Sequence, residues 1–403
     1  MDPLKNTLNN IIAIIEQKKD TFNEPTVEGG TMGVAIFYYF CHQYFNEDHF
    51  LDKAEEMVEK SINLISEISE KNEFVPRFTG DSISNVLASF GKGLLFIENR
   101  FDYDYDFSSY YEVLSDTLQT LADESIKQKD YDFFSGALSG AHFFLNKYYH
   151  SKGQDFVAAA NLEKIYYSSK SAAVHYNEDE IYWTAPAYLN QAYLGLSHGS
   201  AMMINFWTKL YQLNLISGEN EDEVRWLDKA VNFVFERKRN IVDGYFPNRF
   251  LTNEQAGKTQ FAMCYGDLGI LYSLYNANKT IQNTSYQNDI EAMLQTSSHR
   301  KVESEYTYDA GILYGASGIA YIFEELFEDS GKQVYENTMK YWDDQVLTYR
   351  TPDNDFIYAF KDDKKNESAG YSFAWGISGM GIRLMQAQNK NLPSINELLL
   401  IGI

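Results

Sequence analysis

Cysteine, proline and basic residues are all scarce in this sequence. Its 403 residues include two cysteines, seven prolines, and 34 lysines and arginines against 57 aspartates and glutamates. Two cysteines exclude a disulfide scaffold and any structural zinc site that needs three or four thiolates. The formal net charge of −23 disfavours nucleic acids and anionic membrane surfaces as partners, because both carry negative charge themselves.

Long hydrophobic runs are also missing. No apolar stretch approaches the roughly 18 residues that a membrane-spanning helix needs, and the segment Met1–Lys5 lacks the features that open a secretion signal. We therefore expect a cytoplasmic protein without a membrane span. The composition is otherwise globular, with 44% hydrophobic and 23% charged residues. Its 31 tyrosines and 27 phenylalanines suit the wall of a large cavity.

A short glycine-containing signature recurs seven times along the chain. Each instance has a small residue or glycine, two further residues, then glycine or a substitute, followed by an apolar run. The instances are Gly30–Val34, Phe90–Leu94, Ala137–Ala141, Gly199–Met203, Gly266–Ile270, Gly315–Ile319 and Gly376–Met380. Their fourth residues lie 47 to 67 residues apart, which leaves room for two helices and their loops.

The segments between the signatures alternate in character. Leu51–Ile68 carries apolar residues at mostly three- and four-residue steps, which predicts an amphipathic helix, whereas Ile319–Phe323 is more uniformly apolar. The alternation predicts an all-α protein, a seven-fold α/α toroid of inner and outer helices that takes up residues 1–403 as a single domain. The inner helices would begin at the signatures, so any chemistry is expected beside them. The alternative is that these glycines serve packing alone.

Three signatures are accompanied by reactive side chains. His198 lies at a predicted helix start, where an imidazole can exchange protons at neutral pH, but a structural role is equally open. Cys264 directly precedes a signature, next to a helix N-terminus that would favour its thiolate. Cys41, inside an apolar helix, is predicted to be packing. Asp130 and Asp132 precede the third signature.

These motifs resemble the lanthionine synthetase C-like family over the whole length of the chain. Leu194–Gly199 is similar to the family's Leu-Gly-Leu-Ala-His-Gly, and Cys264–Gly269 to its Trp-Cys-Tyr-Gly-x-Pro-Gly. Trp375–Gly381 and Asn396–Leu400 are similar to the family's C-terminal region. The resemblance implies the seven-fold α/α toroid. It also implies a reaction that adds a peptide cysteine thiol across dehydroalanine or dehydrobutyrine to form a thioether ring.

The resemblance assigns catalytic roles to three residues. His198 would transfer protons with Tyr265 assisting, and Asp132 would orient the imidazole or balance its positive charge. The spacing from Asp132 to Gly140 is one residue longer than that of the family.

The family's zinc site is incomplete in this sequence. Cys264 matches the first of three protein ligands, but Leu313 and Tyr314 stand where the family has a cysteine and a histidine. Leucine has no donor atom and a phenol is an unusual zinc ligand. Gln260 also replaces an arginine of the family. We therefore expect no metal and no other cofactor, with the family's zinc lost.

Three functions stay open at this point. The first is a zinc-independent cyclase that acts on a modified peptide, such as a dehydrated precursor peptide. The second is a catalytically degenerate member of the family that binds a peptide or protein. The third, ranked last, is a carbohydrate-processing α/α toroid, for which the sequence shows no recurring pair of acidic residues.

Overall fold

Two layers of α-helix alternate along the computed structural model, which describes residues 3–71, 81–217, 220–239, 244–250, 259–282, 284–302, 307, 309–349 and 364–402. Within these residues the inner helices are α2 (Thr31–Phe45), α4 (Ile83–Arg100), α6 (Ala137–His150), α8 (Ser200–Gln212), α10 (Asp267–Ile281), α12 (Ala316–Ser330) and α14 (Ile377–Gln388). The outer helices are α1 (Pro3–Lys18), α3 (His49–Lys71), α5 (Ser108–Lys127), α7 (Phe156–Ala172), α9 (Glu221–Phe235), α11 (Thr284–Ser297) and α13 (Gln333–Val346).

Burial separates the two layers. In the inner helix α2 every residue from Thr31 to Cys41 is buried, Cys41 included as expected. The outer helix α3 instead buries a stripe that contains Ala54 and Met57, because only one of its faces meets the inner ring. The last inner helix, α14, packs against both α2 and α12, so the ring closes. The prediction of a seven-fold α/α toroid is confirmed.

Two short antiparallel strand pairs stand outside the helical layers. Strand β1 (Val174–His175) pairs with β2 (Ile181–Tyr182), and β3 (Ala192–Tyr193) pairs with β4 (Arg249–Phe250). Strand β3 precedes α8, and its pairing with β4 holds the chain that leads into the His198 loop.

Six inner helices begin directly after a glycine, because the preceding loop runs against the backbone at that point. These cap residues are Gly30, Gly136, Gly199, Gly266, Gly315 and Gly376. A Cβ atom on Gly266 would lie 1.9 Å from the carbonyl oxygen of Gln260, and its φ of +80° is itself unfavourable for other residues. The glycines therefore allow each loop to fold back tightly onto its own helix.

The predicted start of the second inner helix is wrong. Helix α4 begins after Ser82, whose Oγ accepts a hydrogen bond from the backbone N–H of Asn85 at 3.1 Å. Phe90–Leu94 lies in the middle of this helix. There Gly91 and Gly93 leave room for neighbouring side chains rather than for a turn.

The predicted register of the third signature is wrong by one residue. Gly136 caps α6, so Ser139 rather than Gly140 occupies the position of the signature's fourth residue. The spacing from Asp132 to Ser139 is one residue shorter than the spacing from Asp132 to Gly140. The corrected register therefore removes the one-residue difference from the family's spacing.

The C-terminal segment packs against the ends of α4 and α6. The guanidinium group of Arg100 donates two hydrogen bonds to the Glu397 carboxylate, at 3.0 and 2.6 Å. His150 Nε2 lies 3.3 Å from the same carboxylate. Further along, the side-chain amide of Asn205 donates to the carbonyl oxygen of Leu400. The N-terminal ends of the inner helices lie at the opposite face.

A buried histidine on α6 is expected to make folding sensitive to mild acid. The ring of His142 packs edge-on against Phe133, with centroids 4.5 Å apart, and its buried Nδ1 has no hydrogen-bond partner among the described residues. Burial, with the positive charges of Lys92 and Lys209, holds the pKa of His142 well below its usual value of 6.5. The unfolded chain therefore takes up a proton below pH 6.5 that the folded chain cannot accept.

Uptake of this proton by the unfolded chain lowers the free energy of unfolding by about 1.4 kcal/mol as the pH falls from 7.5 to 5.5. Other titrating groups add their own contributions. The variant His142→Phe should lack that component, because it has no imidazole to titrate. Urea unfolding at the two pH values measures this component of the free energy of unfolding. The control variant is His175→Phe, at an exposed position on β1. Equal pH dependence in His142→Phe and the unaltered chain would contradict the assignment.

Candidate functional site

The loops that precede the inner helices are hydrogen-bonded to one another around the ring. The backbone N–H of Leu196 donates to the carbonyl of Cys264, Cys264 to Leu313, Leu313 to Ala374, and Ala374 to Glu28, at 2.9 to 3.2 Å. The residues that precede five of the six cap glycines are thereby gathered at one face of the toroid. In four of the repeats these pairs are Ser197–His198, Cys264–Tyr265, Leu313–Tyr314 and Ala374–Trp375.

His198 and Asp132 are brought into contact from different repeats. The Nδ1 atom of His198 lies 2.7 Å from Oδ2 of Asp132, and the Asp132 side chain is fully buried. The other carboxylate oxygen accepts hydrogen bonds from the backbone N–H groups of Phe134 and Ser135, at 2.8 and 3.2 Å. The carboxylate is therefore fixed, and an Nδ1–H that donates to it leaves the lone pair of the neutral imidazole on Nε2.

Asp130, the other acidic residue of that pair, has a different role. Its Oδ1 accepts a hydrogen bond from the backbone N–H of Asp132 at 3.0 Å, and its Oδ2 accepts one from the Ser135 hydroxyl at 2.7 Å. Burial raises the pKa of its carboxyl group. Asp130 shapes the loop that presents Asp132.

Aromatic rings surround the His198 imidazole. The centroids of Tyr188, Phe134, Tyr193 and Tyr265 lie 4.3, 5.6, 5.8 and 5.8 Å from that of His198. Burial raises the pKa of both Tyr188 and Tyr265, so these phenols stay protonated at neutral pH and can donate hydrogen bonds. Most of the surface around the imidazole is therefore apolar, but the phenol groups provide hydrogen-bond donors.

The thiol of Cys264 is buried next to Ser197 and Tyr314. Burial raises the pKa of this thiol to about 12, although both neighbours act in the opposite direction. The expectation that the helix N-terminus would favour a thiolate is therefore wrong, because desolvation outweighs any stabilisation of the anion.

The family model described as "Lanthionine synthetase C-like protein" matches residues 21–400. The chain belongs to this family. Among solved structures it is similar to a nisin cyclase, with 17% sequence identity, a TM-score of 0.72, and coverage of 100% of this chain and 98% of that one. That likeness supports the α/α toroid.

A weaker structural similarity is to an unsaturated glucuronyl hydrolase from Bacillus sp. GL1, with 12% identity, 96% coverage of both chains and a TM-score of 0.44. No curated protein matches the sequence. In the described part of the chain, no helix combines the length and the apolar character needed to cross a membrane.

The three positions at which the resemblance places the family's zinc ligands lie next to one another. Leu313 offers an apolar, buried side chain, and the hydroxyl of Tyr314 lies within hydrogen-bonding reach of the Cys264 thiol. The ranges that the structure describes contain no group of three or more His, Cys, Asp or Glu side chains placed to hold a metal ion. This donor set does not fit the tetrahedral nitrogen and sulfur coordination of zinc.

Sequence reasoning missed an ion pair in the same ring of loops. Glu28 stands two residues before its cap glycine, as Cys264 does, and its Oε1 accepts a hydrogen bond from Lys92 Nζ at 3.1 Å. Both side chains are buried, and the Ser89 hydroxyl donates to the second oxygen of Glu28. The signal was present in the sequence, because alignment of the first and fifth signatures puts Glu28 at the position of Cys264.

The two cysteines are expected to be inert towards thiol reagents in the folded protein. Burial raises the pKa of Cys41 as well as that of Cys264, so almost no thiolate is present at pH 8. Both should react with iodoacetamide at least about a hundredfold more slowly than a free thiol of ordinary pKa. Peptide mapping after timed alkylation measures each site, with the urea-unfolded chain as the reactive control. Rapid modification of Cys264 in the folded chain would show that the thiol is exposed or ionised.

Proposed function

We propose that this lanthionine synthetase C-like protein adds a cysteine thiol of a modified peptide to dehydroalanine or dehydrobutyrine without using zinc. The observation that carries the proposal is the 2.7 Å contact between His198 and the buried Asp132, in an aromatic-walled site where zinc ligands are replaced by Leu313 and Tyr314. The nisin cyclase fold and the family membership support cyclase-type chemistry.

The proposed chemistry begins with proton removal from the substrate. A peptide thiol with an ordinary pKa near 8.5 is only a few per cent ionised at neutral pH, so a base is needed. His198 Nε2 takes the S–H proton, and the sulfur forms a bond to the β-carbon of the dehydro residue. The electrons of the C=C bond move towards the carbonyl oxygen, giving an enolate. Asp132 balances the positive charge that His198 acquires.

The second half of the reaction returns a proton to the α-carbon. The imidazolium of His198 supplies it, so the thiol hydrogen and sulfur are together added across the double bond. Protonated Tyr265 lies beside His198 and assists by donating a hydrogen bond to the enolate.

The partner that we propose is a peptide, such as a dehydrated precursor peptide. The net charge of −23 favours a neutral or cationic peptide and disfavours nucleic acid. We further propose a cytoplasmic location and a single toroid domain that comprises residues 1–403.

The test is an assay with a synthetic peptide that contains one dehydroalanine and one cysteine. Cyclisation leaves the mass unchanged, so the reaction is stopped with iodoacetamide, which adds mass only to peptides that keep a free thiol. We expect the unalkylated fraction to grow with time and protein concentration, above the rate in buffer. A matched peptide with serine in place of dehydroalanine corrects for incomplete alkylation. No growth above the buffer rate would contradict the proposal.

The alternative is a family member that binds a peptide without chemistry. Three observations favour it: Leu313 cannot bind a metal, Gln260 replaces the family's arginine, and Cys264 is a buried, protonated thiol. Peptide binding without product, and without any response to added zinc, would support this alternative. The carbohydrate hypothesis gains no support, since both acidic residues of this loop are engaged within the protein, Asp132 by His198 and Asp130 by Ser135.

A further inference from the structure

A hairpin between β2 and β3 reaches over the site. In this loop, residues 185–191, the backbone N–H of Ala185 donates to the carbonyl of Gln191 at 3.0 Å. The carbonyl of Ala185 in turn accepts from the N–H groups of Tyr188 and Asn190, both at 3.0 Å. At its tip the Tyr188 ring lies 4.3 Å from the imidazole of His198. The loop is thus a tightly bonded unit that covers one side of the candidate base.

The residue after Tyr188 is held in an unfavourable conformation. Leu189 has a φ of +61° and Asn190 a φ of +56°, both in the left-handed region. Asparagine tolerates this region, but a leucine rarely adopts it because its side chain crowds the backbone. The Leu189 side chain is also 85% exposed, so packing within the chain does not explain it.

The loop is anchored at its base as well. The side-chain oxygen of Gln191 accepts a hydrogen bond from Arg249 Nη1 at 2.7 Å, and β3 follows directly, paired with β4. An anchored loop can sustain local strain, and strain of this kind is concentrated where a protein contacts a ligand. The Tyr188 ring lies against His198, and the side chain of the next residue, Leu189, is exposed to solvent.

We infer that this hairpin recognises the substrate, with Tyr188 covering His198 and Leu189 contacting an apolar side chain of the peptide next to its reacting cysteine. This inference rests on the proposed function. An exposed leucine gains by removing its apolar surface from water, and a peptide held against the hairpin supplies the matching surface. The consequence is a preference for peptides with an apolar neighbour of the cysteine.

The test compares two peptides that contain dehydroalanine and cysteine and differ only in the residue beside the cysteine, leucine or serine. We expect the unaltered chain to prefer the leucine peptide by about tenfold in kcat/KM, the size of effect that one apolar contact gives. The variant Leu189→Asn removes the apolar group and suits the left-handed backbone, so it should lose the preference. Val113→Asn, at a 67% exposed position on α5, is the matched control and should keep it.

Binding measurements separate failure of this inference from failure of the proposed function. Analogues with serine in place of cysteine cannot react, and the ratio of their Kd values reports recognition alone. If neither reactive peptide gives product, the proposed function fails, and the ratio of Kd values still decides the role of the hairpin.

A preference in the unaltered chain that Leu189→Asn and Leu189→Gly both lose, with unchanged or higher Tm, supports the inference. Three results overturn it: equal affinity for both analogues, a preference that survives in both variants, or no binding of either analogue. The glycine variant guards against a folding defect specific to asparagine, because glycine adopts the left-handed conformation without strain.

Discussion

Replacing His198 with alanine is expected to slow thioether formation by a factor of about 100 to 10,000, the usual range for a general acid–base residue. The imidazole is held in place by a buried carboxylate, and its ring nitrogen Nε2 is free of that contact and can act as a base. Without it the substrate thiol relies on its own small ionised fraction. The rate is measured with the alkylation assay at saturating peptide, so that a loss of kcat is separated from a change in KM.

Two further variants test whether the loss of rate is specific to the His198–Asp132 pair. His175→Ala removes an exposed histidine on β1 and should leave the rate unchanged. Asp132→Asn keeps the shape of the side chain but no longer offers a negative charge to the imidazole, so it should lower kcat and shift the pH dependence of the rate. A His198→Ala variant with the rate of the unaltered chain would remove His198 from the mechanism.

Installing cysteine at Leu313 and histidine at Tyr314 is expected to create a zinc site. The unaltered chain has one suitable donor at these positions, Cys264, whereas the double variant L313C/Y314H presents two thiolates and an imidazole, enough for an open tetrahedral site. We expect about one zinc per chain by elemental analysis after dialysis, against none above background in the unaltered chain. Binding should also lower the pKa of the Cys264 thiol, because a coordinated thiol is deprotonated.

The single variants provide the controls for this prediction. L313C alone and Y314H alone each supply one donor fewer, and should bind zinc much more weakly than the double variant. Adding Cys264→Ala to the double variant should abolish stoichiometric zinc. If L313C/Y314H binds no zinc while it folds normally, the three positions are not arranged as a ligand set.

The toroid could be predicted because its two layers have different hydrophobic patterns. Outer helices such as α3 are apolar along one stripe, and inner helices such as α2 are apolar all round. The helix starts were predictable where glycine is required by a close backbone approach. They were not predictable at Ser82, because serine caps a helix with its side chain and leaves no glycine to recognise.

The candidate site residues could be proposed from the sequence, but their geometry could not. The motifs identified His198, Tyr265 and Asp132, yet the contact between His198 and Asp132 depends on how two loops 66 residues apart meet. The protonated state of Cys264 depends on burial, which its position before a helix does not reveal. Tyr188 belongs to no motif, since a hairpin fold alone places it over His198.

The proposed reaction needs no metal, and the rate of thioether formation by metal-stripped protein tests this most directly. The protein is treated with a chelator, its residual zinc is measured by elemental analysis, and the alkylation assay is run with and without added zinc. We expect the same rate in both conditions with residual zinc far below one atom per chain. Product that forms only after zinc is added, or stoichiometric zinc that Cys264→Ala abolishes, would contradict the account.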